Sequence, residues 1–194
     1  MYGFSHGETK MKVTPTPLDG VMLVELVVHG DQRGFFTERY NLAKFEAAGL
    51  PTIYKQDNHS RSAPGVLRGL HFQTEPPQGK LVGVVRGRIW DVAVDIRPES
   101  KSYGWHYGVE LTAENGKMLW IPGGFAHGFC VLGNEPADVL YKVTSLYNPA
   151  TEAGILWNDK ELGVPWPITK PTVSARDEKL QTFEQYRTNP FKWN

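Results

Sequence analysis

The sequence predicts an all-β fold, an antiparallel β-barrel or sandwich with few helices. Apolar side chains recur at every second position along residues 90–97 and again along 104–111, a pattern typical of strands with one buried face. Glycines punctuate the chain between the short strand-like segments, and turn signals at this spacing favour antiparallel pairing. The alternating residues are Trp90, Val92, Val94 and Ile96, then Trp105, Tyr107, Val109 and Leu111; the glycines are Gly30, Gly34, Gly83, Gly87, Gly116, Gly123 and Gly124.

Two short helices are expected at the periphery of the strands. Asn41 is a suitable N-cap for the first, and Gly49 can end it. The second is predicted to begin near Asp177 and to run through Phe183 and Tyr186.

The chain has 194 residues, a length that suits one domain. We expect a single domain over residues 11–194, preceded by a flexible extension over residues 1–10 that lacks the pattern of a secretory signal. Twenty-one basic residues balance 21 acidic ones, so neither nucleic acid nor a membrane is an expected partner. A single cysteine, Cys130, excludes an intramolecular disulfide and fits a cytoplasmic location.

Two glycine-led segments, 65–73 (GVLRGLHFQ) and 116–127 (GKMLWIPGGFAH), resemble the two halves of a cupin metal site. Metal-binding cupins carry a His-x-His pair in the first half, but here Gln73 takes the place of the second histidine. His71 and His127 remain, which is fewer ligands than a transition metal prefers. The sequence therefore predicts a cupin-type antiparallel β-barrel, or jelly roll, with no metal and with a histidine available for acid–base chemistry.

Several polar residues could carry chemistry, but taken singly each has an ordinary structural explanation. His71 lies in a strand-like segment, and Lys80 follows at the end of a loop. Tyr141 shares a strand face with valines, where an inward tyrosine is normally a core residue. Tyr147 precedes a turn, and Asp177 has the sequence context of a helix cap.

Six blocks, in order along residues 11–190, together resemble the dTDP-4-dehydrorhamnose 3,5-epimerase family. They are 31–38 (DQRGFFTE), 56–58 (QDN), 67–72 (LRGLHF), 124–129 (GFAHGF), 141–143 (YKV) with 147–149 (YNP), and 174–177 (SARD). The resemblance implies a dTDP-linked 4-keto-6-deoxyhexose as substrate, whose C3 and C5 protons are acidic because each carbon is alpha to the C4 ketone. Inversion then needs a base, an acid and a group that stabilises the enolate.

The same resemblance assigns roles to individual residues. It makes His71 the base, Asp177 its hydrogen-bonding partner, Lys80 the charge near the enolate, and Tyr141 the acid on the opposite face. It implies no cofactor, which agrees with the absence of a dinucleotide-binding fingerprint, and it implies a homodimer whose N-terminal strands help to complete the neighbouring barrel. The residues expected to line the ligand site are Arg33, Phe36, Glu38, Gln56, Asn58, Arg68, Lys80, His127, Tyr147, which would stack on thymine, Glu152 and Arg176.

Two alternatives remain open on the residues. One is a related epimerase that inverts only C3 or only C5. The other is a cupin that binds a metal or senses a sugar without catalysis, against which the combination of His71, Lys80, Tyr141 and Asp177 argues.

Overall fold

A computed structural model describes residues 10–193 of the chain. Residues 1–9 of the expected extension lie outside this part. Within it are thirteen strands: β1 (Lys12–Pro15), β2 (Met22–Glu25), β3 (Val28–Asp31), β4 (Gly34–Thr37), β5 (Gln56–Ser62), β6 (Leu67–Gln73), β7 (Lys80–Arg86), β8 (Arg88–Asp95), β9 (His106–Thr112), β10 (Lys117–Ile121), β11 (Phe125–Leu132), β12 (Ala137–Val143) and β13 (Glu152–Gly154).

Two antiparallel sheets face each other and form the barrel. One has six strands in the order β1-β2-β10-β7-β12-β5, and the other has five in the order β13-β6-β11-β8-β9. Among residues 10–193, strands β3 and β4 pair only with each other, as a separate hairpin. The prediction of an all-β, cupin-type barrel is confirmed.

The space between the sheets is filled by a core to which both contribute. Its buried members are apolar residues that alternate along each strand with residues of the outer face. They include Val82 and Val84 of β7, Ile89 and Ala93 of β8, Phe125, Phe129 and Val131 of β11, and Ala137 and Val139 of β12.

The expectation that the strand at 90–97 buries one face is wrong, because β8 buries both. Val92 and Val94 pack outward into a second core, whereas Ile89 and Ala93 face the barrel interior. The outer face is covered by the C-terminal segment, including Tyr186. The segment that covers this face is distant in the sequence, so the alternation of residues along β8 could not reveal that the face is buried.

The first helix forms as predicted, and the second is interrupted. Helix α1 (Leu42–Ala47) is capped by the Asn41 side chain, which accepts from the Lys44 N–H. Residues Asp177–Lys179 form only a short 3₁₀ turn. A new helix, α2 (Phe183–Thr188), begins at Thr182 with a capping box. Asp177 is therefore not part of one continuous helix.

Three of the glycines expected in turns lie within strands instead: Gly30 in β3, Gly34 at the start of β4 and Gly83 in β7. At Gly83 a Cβ would come within 2.5 Å of the Arg39 guanidinium and 3.1 Å of the Met118 Cγ, so a side chain there would require both neighbours to shift. Gly87 meets the expectation, turning between β7 and β8 with φ +70°. No helix among the described residues has the length and apolar character to cross a membrane.

Candidate active site

His71 and Asp177 form a hydrogen-bonded pair at the inner face of the five-stranded sheet. The His71 Nε2 lies 2.7 Å from the Asp177 Oδ1. Within residues 10–193, no hydrogen bond engages the other ring nitrogen, Nδ1. The imidazole remains about a quarter exposed, whereas the carboxylate is almost fully buried. The arrangement orients one nitrogen of the ring and leaves the other available to a ligand.

The chain brings Asp177 to His71 by running the segment before it alongside β6. Thr172 exchanges backbone hydrogen bonds with this strand region, donating to the Gly65 carbonyl and accepting from the Leu67 N–H. The Asp177 carboxylate also accepts from the Gly69 N–H at 3.3 Å. Burial opposes its ionisation, but the hydrogen bonds outweigh burial and hold the pKa of Asp177 below its ordinary value. Asp177 is thus an anion aimed at the imidazole.

A second histidine–carboxylate pair lies beside the first. His127 on β11 is the direct cross-strand partner of His71, and its Nε2 lies 2.7 Å from the Oδ1 of Asp91 on β8. Both side chains are buried, and the Oδ2 of Asp91 has no partner among the described residues. The sequence pattern did not indicate Asp91, because alternation along residues 90–97 placed it on the face opposite the apolar side chains, where an aspartate is expected to be solvated.

Lys80 and Tyr141 lie on the opposite sheet. Lys80 shares a strand face with Val82 and Val84, and Tyr141 shares one with Ala137 and Val139, all residues of the central core. The side chains of Lys80 and Tyr141 therefore face the barrel interior. Lys80 is buried rather than solvated as a loop-end lysine would be, and burial lowers its pKa to about 8, with the Glu152 carboxylate opposing. Burial also raises the pKa of Tyr141, which keeps the phenol protonated at neutral pH.

At the rim, Glu152 connects several of the expected ligand residues. Its Oε2 accepts from the Tyr147 hydroxyl at 3.0 Å and from the Arg176 Nη2 at 2.5 Å. This part of the rim combines an exposed aromatic ring with the Arg176 guanidinium, a set suited to a base and a diphosphate. Arg68 lies towards the other end of β6, where it is exposed and donates to the Ser62 hydroxyl.

Gln56 ties this rim to β5. Its Oε1 accepts from the Tyr147 N–H at 3.0 Å, and its Nε2 donates to the Asn58 Oδ1 at 2.8 Å. Asn58 is the register partner of Tyr141. The two amides therefore link the rim aromatic to the interior tyrosine.

Three predicted residues are not brought into this cluster within one chain. Arg33 and Phe36 lie exposed on the β3–β4 hairpin, where Arg33 pairs with Asp31. Glu38, just after the hairpin, pairs with Lys44 of α1. Among the described residues, no hydrogen bond links Arg33, Phe36 or Glu38 to the barrel site.

In the sequence, Gln73 was noted only because it replaces the second histidine of the cupin metal site. In the structure, its side chain forms several hydrogen bonds. The amide is buried and bonds to two loops at the rim. The presence of an amide where a metal ligand is expected is a signal that the sequence offers for Gln73. The hydrogen-bond partners of Gln73 could be identified only from the structure.

Comparison with known proteins agrees with this geometry. The profile of the dTDP-4-dehydrorhamnose 3,5-epimerase family matches residues 15–185. An enzyme of that name from Shigella flexneri is 50% identical over 175 residues, which cover 89% of this chain and 96% of the relative. A dTDP-4-dehydrorhamnose 3-epimerase from Streptomyces niveus is 38% identical over 170 residues, 87% of this chain and 82% of the relative.

Among solved structures, a dTDP-6-deoxy-D-glucose-3,5-epimerase from Legionella pneumophila in complex with dTDP-4-keto-L-rhamnose superposes with a TM-score of 0.89. It is 40% identical, and the match covers 95% of this chain and 98% of that one.

Proposed function

Because this chain belongs to the dTDP-4-dehydrorhamnose 3,5-epimerase family, we propose that it converts dTDP-4-keto-6-deoxy-D-glucose to dTDP-4-keto-L-rhamnose by inverting C3 and C5. One observation carries the proposal: a paired imidazole on one sheet faces a partly buried tyrosine and a buried lysine on the other. A sugar ring held between the sheets would meet a base on one face and an acid on the opposite face, which inversion requires.

His71 is the base in this scheme. Its Nδ1 removes the proton from C3 or C5, and the electron pair moves into the C4 carbonyl to form an enolate. Asp177 holds the ring through Nε2 and stabilises the imidazolium that results. His127, held by Asp91 in the same way, lines the pocket beside it.

Lys80 and Tyr141 complete the reaction from the six-stranded sheet. The Lys80 ammonium stabilises the enolate oxygen, and a buried charge is more effective there than one in water. Tyr141 then donates its hydroxyl proton to the carbon from the face opposite His71. Its raised pKa keeps that proton available at neutral pH.

The rim binds the nucleotide part of the substrate. Tyr147 stacks on the thymine, and Arg68 and Arg176 bind the diphosphate. Glu152, Gln56 and Asn58 orient these groups through the hydrogen bonds described above.

A homodimer accounts for the residues that the single chain leaves apart. We propose that the β3–β4 hairpin carries Arg33 and Phe36, with Glu38 close behind, into the barrel of a second copy. Their exposure and the separate pairing of the hairpin support this. The single cysteine suits a reducing compartment such as the cytoplasm.

Proton NMR of dTDP-4-keto-6-deoxyglucose with the enzyme in deuterated water tests the function. We expect deuterium at both C3 and C5, with inversion at both. Exchange and inversion at C3 alone would favour the activity named for the Streptomyces niveus relative, which is less similar to this chain than the 3,5-epimerase of Shigella flexneri. Absence of exchange at both carbons would refute an epimerase.

Deleting the Tyr141 hydroxyl should separate exchange from inversion. In Tyr141→Phe we expect exchange at C3 and C5 to continue, because His71 can return a deuteron to the face from which it took the proton. Inversion should fall by about 10²–10⁴-fold, the range for loss of a general acid. Tyr107→Phe, the same deletion at another residue packed against the central core, is the control. Wild-type inversion by Tyr141→Phe would place the acid elsewhere.

The pKa of Lys80 predicts loss of activity in mild alkali. Because the pKa is lowered to about 8, the charged fraction falls to about half at pH 8 and to about a tenth at pH 9. The plot of log kcat/KM against pH, which reports the free enzyme, should therefore bend downward near pH 8. Lys80→Arg keeps its charge throughout this range, so its profile should lack this bend. The same bend in both proteins would assign it to another group.

Unfolding does not explain the expected decline. The folded-state pKa of Lys80 lies below the unfolded value, so between pH 8 and about 10.4 the unfolded chain binds more protons. The contribution of Lys80 to the free energy of unfolding therefore increases as the pH rises through this window. A thermal melt at each pH separates the two effects.

A further inference from the structure

The buried side chain of Gln73 uses both ends of its amide. The Nε2 donates to the Pro76 carbonyl at 2.9 Å and to the Leu146 carbonyl at 3.1 Å, and it lies 3.3 Å from the Ser145 hydroxyl. The Oε1 accepts from the Asn148 N–H at 2.8 Å. One side chain thus holds the loop that follows β6 and the loop that follows β12.

These contacts enclose Tyr147. Gln73 binds the backbone of Leu146 and Asn148, the residues immediately before and after it. The tyrosine side chain itself is 49% exposed. The ring therefore lies at the surface of a loop whose backbone is held from beneath on both sides.

The chemistry of this position calls for a primary amide. Two carbonyl oxygens need N–H donors, and one backbone N–H needs an acceptor. The Gln73 amide supplies both hydrogens and an oxygen from one planar group, whereas a neutral imidazole has a single donor and a single acceptor. A histidine here, as in metal-binding cupins, could not satisfy all three partners.

We propose that Gln73 is a positioning residue for nucleotide binding: its amide holds the loop of residues 144–148 so that the Tyr147 ring is presented to the base. This inference rests on the proposed function, in which Tyr147 stacks on thymine. Gln73 touches neither the base nor the reacting atoms in this assignment, and it acts through the backbone on either side of Tyr147.

The role of Gln73 should be separable from catalysis. Lys80 is fixed by the strand ladder, where it pairs with Ile121 on one side and Val143 on the other. His71 is held by Asp177. Loss of the Gln73 amide should therefore weaken binding of the nucleotide while leaving kcat within about threefold of the wild type, since removing ground-state binding alone raises KM.

Hydrogen–deuterium exchange tests the loop contact without any ligand. Gln73→Met keeps the length of the side chain and removes its hydrogen bonds. The Asn148 amide should then exchange about tenfold faster, because local opening governs exchange at such sites. The control is Gln185→Met, which removes an amide from the capping box of α2. It should leave hydrogen exchange at the Asn148 amide unchanged. Unchanged exchange at residues 145–148 in Gln73→Met would overturn the contact.

Calorimetry with dTDP tests the positioning role. In Gln73→Met the Kd should rise about tenfold, within the range that stacking of one aromatic ring on one base contributes. In a Tyr147→Ala background the same change should have no further effect, because the ring through which Gln73 acts is gone. An unchanged Kd in the single variant, or a full additional loss in the double variant, would overturn the inference.

Two further outcomes are decisive. If Gln73→Met does not fold, Gln73→Glu keeps the oxygen that accepts from Asn148 and places a second oxygen against the two carbonyls. Gln73→Glu should also weaken the binding of dTDP, and an unchanged Kd would count against the proposal. A wild-type protein that binds dTDP but exchanges no substrate protons would refute the epimerase and leave the Gln73 inference standing, whereas one that binds no dTDP refutes both.

Discussion

Replacing His71 by alanine should lower proton exchange at both C3 and C5 by about 10²–10⁴-fold, the range for general-base catalysis. Both carbons are affected because each proton is alpha to the same ketone, and His71 is the more exposed of the two carboxylate-paired histidines in the site. The fold should survive, since the His71 side chain is partly exposed and bonds only to Asp177 among the described residues. NMR in deuterated water measures the exchange. The affinity for dTDP should stay within about twofold of the wild type, because His71 acts on the sugar ring and does not bind the nucleotide.

His106→Ala provides the matched control. His106 lies on β9, on the face opposite the inward-packed Tyr107, and its loss should leave exchange unchanged. Near-normal exchange at either carbon in His71→Ala would show that another group removes that proton.

Replacing Asp177 by asparagine should also reduce turnover by about 10²–10⁴-fold, comparable with loss of the aspartate in a hydrolase triad. The reason lies in the Gly69 N–H, which donates to one carboxylate oxygen. In the variant, the Gly69 N–H will continue to donate to an oxygen, so it selects the oxygen of the new amide. The amide nitrogen then faces the Nε2 of His71. An N–H donor there places the imidazole proton on Nδ1, so the nitrogen that should act as base is already protonated.

The Asp177→Asn variant should keep its dTDP affinity and its fold, because the amide is nearly isosteric with the carboxylate. Asp138→Asn is the control: Asp138 pairs with Arg61 on the other sheet, and that contact lowers its pKa to about 2. Lost dTDP binding with normal turnover in Asp177→Asn would assign Asp177 to the nucleotide site.

Local patterns were sufficient for the class of fold and the first helix, but not for the second helix or for the two buried faces of β8. Alternation and glycine turns predicted the strands, and Asn41 predicted the first helix, because strand faces and helix caps depend on residues a few positions apart. The resemblance of six short blocks then identified candidates from distant parts of the chain. His71 and Asp177, 106 positions apart, lie 2.7 Å from each other, but no periodicity in the sequence could have paired them.

The amino-acid sequence by itself determined the class of fold, the family and most of the candidate residues. Only the tertiary structure decided which of them meet: His127 with Asp91, Tyr147 with Glu152, and Gln73 with the loops of the rim. It also decided that Lys80 is buried with a lowered pKa. The physical reason is that burial and long-range pairing depend on which strands become neighbours, and that is a property of the whole barrel rather than of any segment.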